Sequence, residues 1–185
     1  MEVRPSVRGF VYDTYMESEG IPVHRELIGV DDVTKLPRAP WQRTGGSGTF
    51  IELEGPFQAQ RGLYVMEIPP GGQLKPEKHL FEEEIFILEG QGVTEVWQDS
   101  GAKKLTFEWN EGSVFALPRN TTHVLYNGSN QPAIFLSVNS APEIMNSLKE
   151  IDFVFDCDRV FVDLSANDGQ YFSDPGTRTT EGRYG

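Results

Sequence analysis

Cysteine is nearly absent. Cys157 is the only one in 185 residues, so no internal disulfide can form, and a reducing cytoplasm is the expected compartment. Long apolar runs are absent as well. No stretch approaches the ~20 apolar residues that cross a bilayer as a helix, and the opening MEVRPSVRGFVYDTY has no apolar signal core. No membrane partner is expected. Positive charge is scarce: 16 Lys and Arg stand against 28 Asp and Glu, a formal net charge of -12. An acidic surface of this kind repels phosphate backbones, which argues against a nucleic-acid partner. There is no βαβ alternation, no glycine-rich phosphate loop and no internal repeat. Histidine is sparse, with 3 in the chain.

Turn formers and aromatics are what the chain has. Gly 19, Pro 12 and an aromatic content of 11% suit short strands joined by tight turns better than long helices. The length fits one domain with a sizeable core. Residues 1–47 read as an irregular lead-in dense in turn signals (SEGIP, LPRAPW, GGSG), with GVDDVTKL a candidate short helix starting near Asp31. Beyond it the pattern becomes regular. TFIELEG alternates, and GLYVMEIPPGG is a strand closed by a turn. EEIFILEGQGVTEVWQDSG gives two strands about Gly90 to Gly92. KKLTFEW puts Leu105, Phe107 and Trp109 on one face, and NEGSVFALP, THVLYN and PAIFLSVN complete the series. Strands about every 8 to 12 residues, with Gly, Pro or Asn between them, predict an all-β sandwich or barrel over 48–140. In 141–185, APEIMNSLKEI predicts a helix with Ile144, Leu148 and Ile151 on one side. FVFDCDRVFVDL predicts edge strands, and SANDGQYFSDPGTRTTEGRYG reads as a polar tail.

The chemistry concentrates in KPEKHLFEEE, Lys75 to Glu84, where four glutamates flank a histidine just before the apolar IFIL. In an extended chain Glu77, His79, Phe81, Glu83, Ile85 and Ile87 share one face. Ile85 and Ile87 belong in a core, so Glu77, His79 and Glu83 point the same way. Charges placed inside a barrel need compensation. A divalent cation supplies it, because carboxylate and neutral imidazole are its usual ligands. His123, at the start of a later strand, brings a second imidazole. Glu82 and Glu84 have the opposite parity and are read as solvent-facing or paired with lysines.

These residues carry a resemblance. Gly71, Glu77, His79, Glu83 and Gly90 follow the spacing of the first cupin motif, G-x5-H-x-H-x3/4-E-x6-G. Gly112, Pro118, His123 and Asn127 follow that of the second, G-x5-P-x-G-x2-H-x3-N. Glu77 stands where the first histidine is usual, and Asn120 where a glycine is usual. Over residues 48–140 the chain thus resembles the cupin superfamily. Its flanks EGIPVHRELIGVDDV, PWQRTGGSGTFIELEG and EVWQDSGAKKLTFEWNEGSVFALP resemble the first barrel of a subgroup often built as tandem bicupins. The resemblance implies a double-stranded β-helix, the jelly-roll barrel, with an irregular N-terminal lead-in and a short C-terminal helix and tail. It also implies one divalent metal held by Glu77, His79, Glu83 and His123. Two carboxylates and two imidazoles favour Fe(II) or Mn(II), with Zn(II) and Ni(II) as further options. A homodimer formed through sheet edges is expected.

The remaining candidates are weaker. Tyr64 and Tyr126 are candidate polar groups for a substrate cavity. Phe86, Trp97, Phe107, Trp109 and Phe115 are read as core, His24 as a surface or packing residue, and Cys157 as no nucleophile. Three functions compete. The leading one is a metal-dependent, dioxygenase-type enzyme acting on a small organic molecule. In a non-oxidative isomerase, lyase or hydrolase, Glu77 would be the general base. The third is a small-molecule-binding cupin without catalysis.

Overall fold

A computed structural model describes residues 10–26, 28–53, 60–98 and 104–161. The polar tail read at 165–185 lies outside the described residues. The segments read as strands over 48–140 become strands, and the lead-in adds two more. They are β1 Val23–Glu26, β2 Ala39–Pro40, β3 Ser47–Leu53, β4 Gly62–Ile68, β5 Glu83–Glu89, β6 Gln91–Trp97, β7 Leu105–Asn110, β8 Val114–Leu117, β9 Thr122–Asn127 and β10 Ala133–Asn139. One sheet runs β1-β3-β4-β10-β5-β8, with β2 paired to β3, and a three-stranded sheet runs β7-β6-β9. The inner faces of both meet in one core. Phe50, Met66, Ile68, Ile85 and Ile87 come from the larger sheet, and Val96, Leu105, Trp109 and Leu125 from the smaller. The result is an all-β jelly-roll barrel.

Period-two patterning sets the faces. In β5, Glu83, Ile85 and Ile87 are buried while Glu84 and Phe86 are exposed. Phe86 therefore lies on the outer face and not in the core where the sequence reading put it. Two glycines allow the β5–β6 corner to close. Gly90 has φ 93, and a Cβ there would lie 2.7 Å from Ala133 Cβ. At Gly92 a Cβ would lie 2.0 Å from the Tyr126 carbonyl oxygen, so only glycine fits.

The lead-in is more regular than its turn signals imply. Helix α1, Val11–Ser18, buries Tyr12, Tyr15 and Met16, an i, i+3, i+4 set on one face. β1 runs parallel to β3. The helix expected near Asp31 is a single 3-10 turn, Val33–Lys35, capped by Asp32, whose Oδ1 accepts from Thr34 N at 3.0 Å. Leu36, with Val30 and Val33, covers Ile51, Val65 and Ile134 on the outer face of the larger sheet.

At the other end, α2 spans Ala141–Leu148, and Lys149 at φ 61 breaks it before α3, Ile151–Phe155. The buried residues of α2 are Ala141, Pro142 and Met145. Of the predicted stripe, Ile144 and Ile151 are half-buried against the core, while Leu148 faces solvent. Of the predicted edge strands, 153–155 are helical and 156–161 carry no regular element; 162–164 lie outside the described residues. Helix α3 is anchored as a cover: Leu80 N donates to Val154 O at 2.9 Å, and Val154 and Cys157 are buried. Among the described residues no helix is long and apolar enough to cross a membrane.

Candidate metal centre

Both sheets contribute to one end of the barrel. Glu83 opens β5 in the larger sheet and His123 lies in β9 of the smaller. His79 sits on the segment leading into β5, which is not the continuous strand that simple alternation implies, since Leu80 and Phe81 are both buried. The three side chains nonetheless converge. One ligand atom from each of His79, Glu83 and His123 lies within 4.8 Å of the others. They are 3%, 2% and 4% exposed.

Hydrogen bonds decide which atoms face inward. His79 Nδ1 donates to the Phe81 carbonyl at 2.9 Å and His123 Nδ1 to the Thr121 carbonyl at 3.3 Å. That turns Nε2 of each ring toward the inside of the group. The His79 ring also stacks on Phe81, with centroids 3.7 Å apart and planes at 4°. Glu83 Oε1 accepts from Tyr64 Oη, and from Ser137 Oγ at 2.5 Å. Asn139 Nδ2 in turn donates to Ser137 Oγ at 3.1 Å. Strand register produces this arrangement: Tyr64 is opposite Ser137 across β4 and β10, Ser137 is opposite Ile85 across β10 and β5, and Glu83 is two residues from Ile85 on the same face. Glu83 Oε2 remains, 2.9 Å from His79 Nε2. The two atoms pair directly with each other, and a metal held by this group would take both of them.

The electrostatics agree. Burial works against the charge of Glu83, but the bond and charge of His79, the charge that His123 gains at low pH and the Ser137 hydroxyl outweigh it and hold the carboxyl down at about 2. Burial and the neighbouring His79 pull His123 down to about 4, which keeps its imidazole neutral. Burial, then the Glu83 and Glu77 carboxylates, push Tyr64 well up, so its hydroxyl stays a donor. Two buried imidazoles and one buried carboxylate, each oriented by a partner behind it, form a set that can hold a divalent cation.

Glu77 is placed differently. It is opposite His123 in an antiparallel bridge, yet its Oε1 accepts from Arg43 Nη1, and it is not part of the three-residue group. Burial pushes the Glu77 carboxyl up against the pull of Arg43. Glu82 and Glu84 face solvent as their parity predicts, and Glu82 pairs with Arg119 at 2.9 Å. Tyr126 is not in the cavity; its hydroxyl donates to Glu95 at 3.0 Å. His24 is half-buried in β1. Arg43, Ser137 and Tyr15 were not legible as site residues. A cavity of about 10 Å³, lined by Tyr12, Tyr15, Trp41, Arg43, Phe50, Tyr64, Glu77, His79, Phe81, Asn139 and Ala141, has room for about one water. A larger groove of about 470 Å³ lies over β6 and β7 beside Trp109 and holds none of these donors.

A jelly-roll barrel with a buried His-Glu-His group at one end defines a class of metal-capable barrels. The sequence model of the family described as Cupin matches residues 49–156, more than half of the chain, and the chain belongs to that family. No curated protein matches it. Among solved structures it is similar to the Lactobacillus farciminis oxalate decarboxylase formate complex, at 25% identity and TM-score 0.49, over 59% of this chain and 32% of that one. It is also similar to the Schizosaccharomyces pombe Cnp3 cupin domain, at 16% identity and TM-score 0.51, over 69% of this chain and 79% of that one. A recombinant oxalate oxidase in complex with glycolate matches at 18% identity and TM-score 0.52, over 62% of this chain and 59% of that one. The chain therefore spans about a third of the oxalate decarboxylase and about three fifths of the oxalate oxidase. These likenesses concern the barrel.

Proposed function

We propose that this chain is a metal-dependent cupin enzyme that acts on a small organic molecule, with dioxygenase-type oxidation as its reaction and Fe(II) or Mn(II) as its metal. The buried group of His79, Glu83 and His123 carries the proposal. Two imidazoles and one carboxylate with further positions open are the donor set of non-haem iron oxygenases. Bound there, a divalent ion supplies Lewis-acid polarisation of substrate oxygens and, when redox-active, electrons for dioxygen. The chain's own residues do the rest. The carbonyls of Phe81 and Thr121 hold the two rings with Nε2 inward. Tyr64 and Ser137 occupy Glu83 Oε1 and leave Oε2 as its donating atom. The aromatic walls exclude bulk water. A cavity this small requires those walls to move before a substrate reaches His79.

Glu77 favours a second reading. A carboxylate beside the group but outside it, pushed up by burial against the pull of Arg43, suits proton transfer in a non-oxidative isomerase, lyase or hydrolase. Metal analysis of freshly purified protein comes first, then anaerobic reconstitution and oxygen uptake over a panel of small phenols and diketones. Stoichiometric metal with substrate-dependent oxygen uptake supports the oxidase reading. Turnover without oxygen supports the second. Protein that takes up no divalent metal overturns both.

A further inference from the structure

Glu77 and His123 exchange both backbone hydrogen bonds, Glu77 N to His123 O at 3.0 Å and His123 N to Glu77 O at 2.9 Å. Residues directly opposite in such a pair project from the same face, with Cβ atoms about 4.5–5.5 Å apart. The Glu77 side chain also lines the same cavity as His79. By backbone position, then, its carboxylate belongs with the imidazoles. The side chain instead goes to the guanidinium of Arg43.

Arg43 is fixed without any help from Glu77. Its Nη2 donates to Tyr15 Oη at 2.5 Å and its Nε to Glu19 Oε2 at 3.3 Å. Its guanidinium carbon lies 4.5 Å from the ring centroid of Phe155 and 5.0 Å from that of Trp41. An arginine pinned by two helices and the lead-in cannot follow Glu77, so Glu77 must come to it.

We propose that Arg43 is a positioning residue that holds Glu77 off the metal and so leaves the His79–Glu83–His123 group with one more open position than a four-ligand barrel. This rests on the metal reading above. The ion sees one carboxylate instead of two, and the position that would be a fourth ligand is left to water or substrate.

The test uses the full chain and Mn(II) alone. Mn(II) affinity is measured by competition, and metal-bound water by the proton relaxation enhancement of bound Mn(II). In the wild type, stoichiometric binding tests the metal reading; no binding overturns that reading and this inference with it. Glu77→Gln should leave affinity within about threefold, because Glu77 is not a ligand. Arg43→Met should free Glu77, tighten Mn(II) by about tenfold or more and lower the relaxation enhancement as a water is displaced. Arg43→Met with Glu77→Gln should restore both readings to wild type, which a merely structural role of Arg43 does not produce. A tenfold loss of affinity in Glu77→Gln alone shows Glu77 to be a ligand already and overturns the inference, whether or not the Arg43 variant folds. Unchanged affinity and relaxation in Arg43→Met also overturns it.

Discussion

Replacing Tyr64 by Phe deletes one oxygen. The ring keeps its edge contacts with Trp41, Phe50 and Phe135, so packing is conserved. What disappears is the hydroxyl donated to Glu83 Oε1. A hydrogen bond to a charged group is worth about 1.5–3 kcal/mol. Ser137 still donates to the same oxygen at 2.5 Å, which puts the expected loss for the metal-free protein at the lower end, about 1.5–2 kcal/mol. Removing a partner that orients a ligand weakens metal binding by about 10–100-fold; with Ser137 intact, about tenfold is expected, or about 1.4 kcal/mol. The assay is Mn(II) competition together with urea unfolding of the metal-free protein. Tyr126→Phe is the control. It is equally conservative, but its hydroxyl meets the half-exposed Glu95 on the outside of the barrel, so it should move stability by no more than about 0.5 kcal/mol and metal affinity not at all. The reasoning fails if Tyr64→Phe binds and unfolds like wild type, or if the two variants behave alike.

His123→Ala should abolish stoichiometric metal in a barrel that still folds, whereas Glu84→Gln, on the outer face of β5, should leave it unchanged; elemental analysis of both proteins decides. Asn120 takes the glycine position at φ 55 while its Nδ2 donates to the carbonyls of Cys157 and Arg159, at 3.0 and 2.5 Å. Asn120→Gly should therefore cost about 1–3 kcal/mol despite restoring the usual residue, and Asn120→Ala about 1 kcal/mol more, read from urea midpoints. Burial pulls His123 down to about 4, so the metal-free fold resists a proton that the unfolded chain accepts near 6.5. Stability should be full above about pH 6.5 and fall by up to about 3 kcal/mol as pH drops to 4, and urea melts at pH 7, 5 and 4 should show that decline. Phe86 and Val114, 40% and 63% exposed, are register partners at the β5–β8 edge. We expect light scattering to give a homodimer that Phe86→Glu splits.

The barrel strands were legible from short apolar runs bounded by turn residues, and β5 and β8 from their own period-two signal. Glu83, Ile85 and Ile87 alternate with Glu84 and Phe86, and burial follows that alternation. What escaped is structure set by contacts distant in sequence. Helix α1 has only three buried apolar residues and no side-chain cap, too little for an eight-residue helix to announce itself. It forms because Tyr12 and Tyr15 meet Phe50, and because Tyr12 N donates to Asn146 of α2 at 3.1 Å. Phe153 to Phe155 have the aromatic and β-branched content of a strand. They are helical because Val154 docks under Leu80 and Phe155 lies over Phe81 and Tyr15. Tertiary packing overrode propensity at both ends of the chain.

The site divides along the same line. Glu83 follows from parity, and His79 and His123 from motif spacing, since both are short-range properties of the chain. Tyr64 and Ser137 depend on which residues stand opposite each other across β4, β10 and β5, a register no local pattern contains. Glu77 shows why this matters for chemistry. Read locally, a carboxylate in place of a histidine is a substituted ligand. The cation that claims it lies 34 residues earlier, in a lead-in whose pattern looks irregular, and is held by rings from α1, α3 and the turn after β2. A buried carboxylate requires a countercharge; Arg43 supplies it here, and a cation bound at the His79–Glu83–His123 group would compete for it. The role of Glu77 is therefore fixed by the lead-in and not by the motif in which it sits. Removing the arginine alone, as in Arg43→Met, should convert Glu77 from the partner of Arg43 into a ligand even with both barrel motifs intact.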